Sequence, residues 1–258
     1  MEFNNTIAVV TGGGSGLGRG ICHELAEKGS LVFVIDINKV NAKKTADEIG
    51  ERQLNAVPYC LDITKYKDLI DFGKEVEKNY GLIDYWVNNA GISKITSFFN
   101  HTEELWNSTM DINLKGQFLS CKIAIDHMMK KGKGSIVNLS SQSGKVGTSS
   151  YQAYCSSKFG VIGLTQSLSK EFASYEINVN SVAPGVIYTP MWEKQKEDYA
   201  MKKNLNPKEV MNYFKSKIPA NRLGTVEDVA KTVSFLLSND ASYITGQNIN
   251  VNGGDIMH

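Results

Sequence analysis

The run Thr11-Gly-Gly-Gly-Ser-Gly-Leu-Gly18 constrains the fold more than any other stretch of the chain. An apolar segment, residues 6–10, precedes it, and Ile21, Leu25 and Ala26 follow at helical spacing, so strand, glycine turn and helix come in that order. Glycines at 12, 16 and 18 let backbone amides approach an anion, and a helix N-terminus adds partial positive charge at the same point. A glycine run can be a mere turn. One set between a strand and a helix is expected to cradle a diphosphate.

A second strand, 31–35, ends at Asp36, 18 residues after Gly18. An acid there is expected to accept from an adenosine ribose 2′-hydroxyl and to repel a 2′-phosphate; no arginine follows it, so NAD is expected rather than NADP. Helical patterning over 40–51 leads to a strand at 56–61 and then Asp62-Ile63. Asp62 fits two roles equally well, pairing with an adenine amino group or capping the helix expected over 65–78. Further strands are expected over 84–87, 135–139, 177–182 and 247–251, with helices over 106–129, from 152 onward, and over 226–237. Strands alternating with helices imply an α/β fold, a Rossmann-type doubly wound parallel sheet, and 258 residues suit one such domain. Asn113, in mid-helix, is either exposed or locally satisfied, as such residues usually are, or marks a distortion whose carbonyl holds water.

Residues 135–139 are apolar enough for a buried strand, which puts Ser140 and Ser141 at its C-terminal end, where open α/β sheets place ligands. Tyr154 and Lys158 follow on a helix, four apart and so on one face. Spacing alone is weak, because 11 tyrosines and 25 lysines in 258 residues give about one such pair by chance. The chain holds three. Tyr199 with Lys203 and Tyr213 with Lys217 lie in a charged region and do not follow a strand ending in Ser-Ser. A lysine ammonium beside Tyr154 is expected to favour the phenolate, so that Tyr154 exchanges a proton with a substrate oxygen held by Ser141.

Net charge is +1, so no global field favours nucleic acid or anionic membrane. Cys22, Cys60, Cys121 and Cys155 show no metal-ligand spacing, and no metal site is expected; Cys155 reads as a packing residue. His23, His101, His127 and His258 show no pairing with serine and acid that would make a hydrolase triad. No signal or spanning segment is evident, and the cytoplasm is the expected compartment. Residues 186–222 break the βα rhythm and carry seven lysines against four acids, which reads either as solvated surface or as a substrate lid that attracts a phosphorylated ligand.

Taken together, these motifs resemble the short-chain dehydrogenase/reductase family over essentially the whole length: Thr11 to Gly18, Asn88-Asn-Ala-Gly91, and an Asn113, Ser141, Tyr154, Lys158 set with Ser141 thirteen residues before Tyr154. Asn178, where many members carry arginine, is a departure away from the expected chemistry. The resemblance implies a NAD-dependent oxidoreductase in which Tyr154 is the acid-base, Lys158 binds the nicotinamide ribose, Ser141 orients the substrate oxygen and Asn113 supports a proton relay. It implies cofactor contacts from Gly12, Ser15, Gly16, Leu17, Gly18, Asp36, Asp62, Ile63, Asn89, Ala90, Gly91, Tyr154, Lys158, Pro184, Gly185 and Thr189, and a homotetramer paired through the helices around Asn113 and Tyr154.

Within the family, Ser143 to Gly147, Pro190-Met-Trp192, Tyr199-Ala-x-Lys202, Lys217-Ile-Pro219 and Arg222 resemble sorbitol-6-phosphate 2-dehydrogenases. Thr189-Pro-Met-Trp192 also resembles acetoin and 2,3-butanediol dehydrogenases. The lysine-rich lid tilts the expectation toward a sugar phosphate, with Ser143, Lys145, Trp192, Lys202, Lys217 and Arg222 as its contacts. A NAD sensor without catalysis is the contrasting alternative, but it would have no use for an intact proton-transfer set.

Overall fold

A computed structural model describes residues 3–258. The first half alternates strictly: β1 (Ile7–Thr11), α1 (Gly16–Glu27), β2 (Leu31–Asp36), α2 (Lys39–Glu51), β3 (Ala56–Cys60), α3 (Tyr66–Asn79) and β4 (Tyr85–Asn88). Next come α4 (Glu103–Met110), α5 (Gly116–Lys131), β5 (Gly134–Leu139), α6 (Gln152–Phe172) and β6 (Ile177–Pro184). The chain ends with α7 (Pro190–Lys203), α8 (Val210–Lys217), α9 (Val226–Leu237) and β7 (Asn248–Val251).

All strand pairs are parallel, in the order β3-β2-β1-β4-β5-β6-β7. The single-domain, doubly wound sheet expected from the alternation is therefore present. Strands buried on both faces must be apolar throughout, and β1 is buried at all five positions. Ala8 and Val10 pack on α1, α2 and α9, while Ile7 and Val9 pack on α3 and α5. β3, at the edge, is half-exposed and tolerates Pro58 in mid-strand.

The order in which strands are added to the sheet reverses between β1 and β4, and that switch point opens a crevice at the carboxyl ends of the strands. A buried polar chain ties the strands beneath it. Trp86 Nε1 donates to Asn88 Oδ1 at 2.9 Å, Asn88 Nδ2 to Asn138 Oδ1 at 2.9 Å, and Asn138 Nδ2 to Thr165 Oγ1 at 3.0 Å, joining β4, β5 and α6.

Two helices differ from expectation. The stretch expected as one helix over 106–129 is interrupted between α4 and α5 by a π-helical turn, Asp111–Lys115, with Asn113 at its centre. Asp62 does not cap α3: the N-cap is Lys65, without a side-chain bond, and Asp62 Oδ1 instead accepts from Thr64 N and Oγ1 at 2.9 and 2.8 Å in the preceding turn.

Candidate active site

A cleft of about 460 Å³ runs across the switch point, lined from Gly12, Ser15, Gly16 and Leu17 at its centre to Asp36, Asp62 and Ile63 at one end and Ser141, Tyr154 and Lys158 at the other. Asn89, Ala90, Gly91, Pro184, Gly185 and Thr189 complete the wall. Of the expected cofactor contacts only Gly18 is set back from it, and its role is steric. A methyl on Gly18 would sit 2.1 Å from Gly12 O and 2.4 Å from Asn89 Nδ2, so the turn closes only around a glycine. Gly12 has a φ of +64°, the left-handed region that side chains disfavour.

The Asn-Asn-Ala-Gly segment lashes this turn to β4. Asn89 Nδ2 donates to Thr11 O and Gly12 O, both at 3.0 Å, and Thr11 Oγ1 accepts from Asn89 N and Ala90 N at 3.0 and 3.2 Å. Ser15, at the N-cap of α1, makes no side-chain cap bond, and the first turn holds no acid. The first amides of the helix are thus left to an external acceptor. A diphosphate fits that need. At the far end Asp36 accepts from Gly14 N at 3.0 Å and Asn38 N at 2.9 Å, which fixes its carboxylate on the cleft wall.

At the other end, β5 and α6 bring Ser141, Tyr154 and Lys158 together on the cleft wall. Ser141 Oγ accepts from Ser143 N at 3.1 Å, leaving its O–H to donate, and it lies beside the Tyr154 phenol, close enough to lower the phenol pKa. Lys158 is buried and donates to Leu139 O at 2.7 Å, its Nζ 5.8 Å from the Tyr154 ring centroid. Ser140 Oγ bonds Lys158 O at 2.9 Å, which sets the strand end against the helix.

The electrostatics differ from the sequence expectation. Burial raises the Tyr154 pKa and outweighs the lowering effect of Ser141. Burial likewise pushes Lys158 down, to about 8. The phenol therefore keeps its proton at neutral pH, while the lysine ammonium bonds a carbonyl.

Asn113 is buried, with Oδ1 accepting from Ile92 N at 2.8 Å and Nδ2 donating to Ile92 O at 2.9 Å and Ser157 Oγ at 3.1 Å. Its amide clamps the loop after β4 to α6, and its neighbour Ile112 lines the cleft.

Several of the residues expected to contact substrate lie elsewhere. Trp192 lines the cleft, but Ser143, Lys145, Lys202, Lys217 and Arg222 do not. Lys145 donates to Asn248 O at 3.2 Å, Lys202 to Ser149 O, and Arg222 forms a bidentate pair with Asp228. Lys217 is exposed beside the Tyr213 ring. The lid lysine that does line the cleft is Lys194, which charge counting could not single out from its six neighbours.

Sequence reasoning also missed how the lid is fastened. Trp192, Tyr199 and Phe214 pack with Tyr151 and Tyr154 in one cluster. Buried Gln195 donates to Ser93 O at 2.8 Å and accepts from Tyr151 OH at 3.2 Å. Trp192, Gln195 and Tyr199, spaced by three and four, were the available signal. Tyr199 belongs to this packing and not to a second acid-base pair.

A model of the short chain dehydrogenase family matches residues 6–200. The chain belongs to that family. Over 257 residues it is 36% identical to a 3-oxoacyl-acyl-carrier-protein reductase from Thermotoga maritima, covering 100% of both chains. It is 37% identical to a NAD-dependent glycerol dehydrogenase from Listeria innocua, over 98% of this chain and 95% of that one. The crystal structure of sorbitol-6-phosphate 2-dehydrogenase from Erwinia amylovora superposes with a TM-score of 0.94 at 36% identity, covering 97% of this chain and 100% of that one. This dehydrogenase is therefore an oxidoreductase acting on alcohol and keto groups with a nicotinamide cofactor. No helix among the described residues is long and apolar enough to cross a membrane.

Proposed function

We propose that this dehydrogenase uses NAD to interconvert D-sorbitol 6-phosphate and D-fructose 6-phosphate, with Ser141, Tyr154 and Lys158 as its catalytic residues. The observation that carries the reading is the meeting of that trio with the uncapped glycine turn and Asp36 along one cleft. Asp36 would hold the adenosine ribose, the first amides of α1 the diphosphate, and Pro184, Gly185 and Thr189 the nicotinamide end. When bound, the nicotinamide supplies or accepts a hydride at the carbon bearing the reacting oxygen.

The protein's own residues handle the proton. Ser141 holds the substrate oxygen beside the phenol, and Tyr154 donates its proton in reduction or takes one in oxidation. The Lys158 charge steadies the phenolate that donation leaves behind. The lid motifs shared with sorbitol-6-phosphate dehydrogenases, and the likeness to the Erwinia enzyme along its whole chain, support the sugar phosphate. A homotetramer belongs to the same reading, since Phe118 on α5 and Phe159 on α6 are exposed apolar residues that helix pairing would cover.

One observation favours a second reading, a small uncharged hydroxyketone or diketone: the four cations expected to take the phosphate are engaged outside the cleft. Measuring NADH and NADPH oxidation with fructose 6-phosphate, fructose, acetoin, diacetyl and an acetoacetyl thioester separates the readings. The proposal expects fructose 6-phosphate to rank first. It also expects NADH to outperform NADPH by roughly 100-fold, the scale of a like-charge clash at Asp36. Turnover of acetoin with none of fructose 6-phosphate would overturn the substrate, and a preference for NADPH would overturn the cofactor.

A further inference from the structure

We infer that Lys194, on the lid helix α7, closes an ionic contact over the diphosphate of the bound dinucleotide, so that the lid reads the cofactor as well as the substrate. The inference rests on the cofactor site proposed above and adds to it a residue outside the strand-end motifs. Lys158 and Lys194 are the only basic side chains lining the cleft among the described residues, and the Lys158 ammonium is committed to the Leu139 carbonyl. Lys194 is exposed and makes no ion pair or hydrogen bond with any of the described residues. Its neighbours do: Lys196 pairs with Glu193 at 2.6 Å and Lys94 with Asp198 at 3.0 Å.

The rotation of α7 aims this free charge. Buried Gln195, held by Ser93 O and Tyr151 OH, fixes one face of the helix toward the catalytic helix, and Tyr199 lies four residues further on that face. Pro190 lies on another face, and a methyl placed on Gly16 would touch it at 3.7 Å and Thr189 at 3.6 Å. The first turn of α7 therefore abuts the glycine turn. Lys194 is four residues after Pro190, on the side facing that turn. The amides of α1 would approach a diphosphate from below and the Lys194 ammonium from the lid, giving the anion a second, mobile charge.

The test is equilibrium binding without substrate, by NADH fluorescence titration and by ADP-ribose calorimetry, on wild type, Lys194→Gln and Lys194→Arg. Both ligands carry the diphosphate. An exposed, unpaired lysine can be replaced without disturbing the fold, and matching melting curves would verify that. Lys194→Gln is expected to weaken both ligands about tenfold and to flatten the salt dependence of binding, with Lys194→Arg within about twofold of wild type. Unchanged NADH and ADP-ribose affinity in Lys194→Gln would overturn the inference. That result with a raised KM for fructose 6-phosphate would reassign the lysine to the substrate. A wild type that binds neither ligand would instead overturn the cofactor reading itself.

Discussion

Replacing Tyr154 with phenylalanine is expected to lower kcat by about 10³-fold, within the range that positioned acid-base groups contribute, while NADH affinity stays within about twofold of wild type. The phenol oxygen is the only group removed. The ring would keep its place against Tyr151 and the lid cluster, so folding is expected to be unaffected. Single-turnover kinetics and NADH titration on the same preparation check the split. A variant that lost cofactor binding in proportion to turnover would make Tyr154 a binding residue only. A NAD sensor would show no turnover in either protein.

Lys158→Met is expected to lower turnover by about 10²-fold or more and, at the same time, to make the protein more stable. Burial holds the Lys158 pKa near 8, against an ordinary 10.5. Holding the charged form inside the fold therefore costs on the order of 3 kcal/mol, less whatever the Leu139 bond returns. Leu139 O keeps a second donor, Gln117 Nε2 at 3.3 Å, so it is not left bare. A net gain of about 1–3 kcal/mol is expected, which raises Tm by roughly 2–4 °C per kcal/mol for a chain of this length.

The sign with pH follows from proton counting. Between about pH 8 and 10.5 the unfolded wild type holds a proton on this lysine that the folded protein has released, so wild-type stability rises across that window. The advantage of the methionine variant is full below pH 8 and closes by pH 10.5. Thermal melts of both proteins at pH 7 and pH 10 test this. A variant less stable than wild type at pH 7 would show that the lysine contributes more through its bonds than its burial costs.

The fold was legible because its signals are local. A strand buried on both faces must be apolar along its length, and the glycine turn advertises a close approach that no side chain permits at Gly18. The positions of Asp36 and the Tyr154-Lys158 pair on the cleft were legible for the same reason, since strand ends and helical spacing decide where they point. Asn113 was half-legible. Its poor helix propensity pointed to a distortion, and a π turn is there, but the clamp on Ile92 joins residues 21 apart in sequence.

What sequence could not show is where long cations end up. Lys145, Lys202 and Arg222 reach acceptors at Asn248, Ser149 and Asp228, and a flexible side chain takes whichever partner the tertiary fold brings near. Counting lid lysines therefore gave a charge without a direction. The net direction of the Tyr154 pKa was missed for a related reason: an adjacent ammonium is visible in the sequence, but the depth of burial that opposes it is not.

The central claim is that the Tyr154 phenol, poised by the neighbouring Ser141, moves the proton at the cleft. The most direct test is the pH dependence of kcat/KM for alcohol oxidation, compared between wild type and Ser141→Ala. A rate that climbs with pH as one group ionises, with its break moved to higher pH in Ser141→Ala, is what the structure predicts, because the neighbouring serine is what lowers the phenol pKa. A flat profile in wild type, or a break that stays in place when Ser141 is removed, would contradict it.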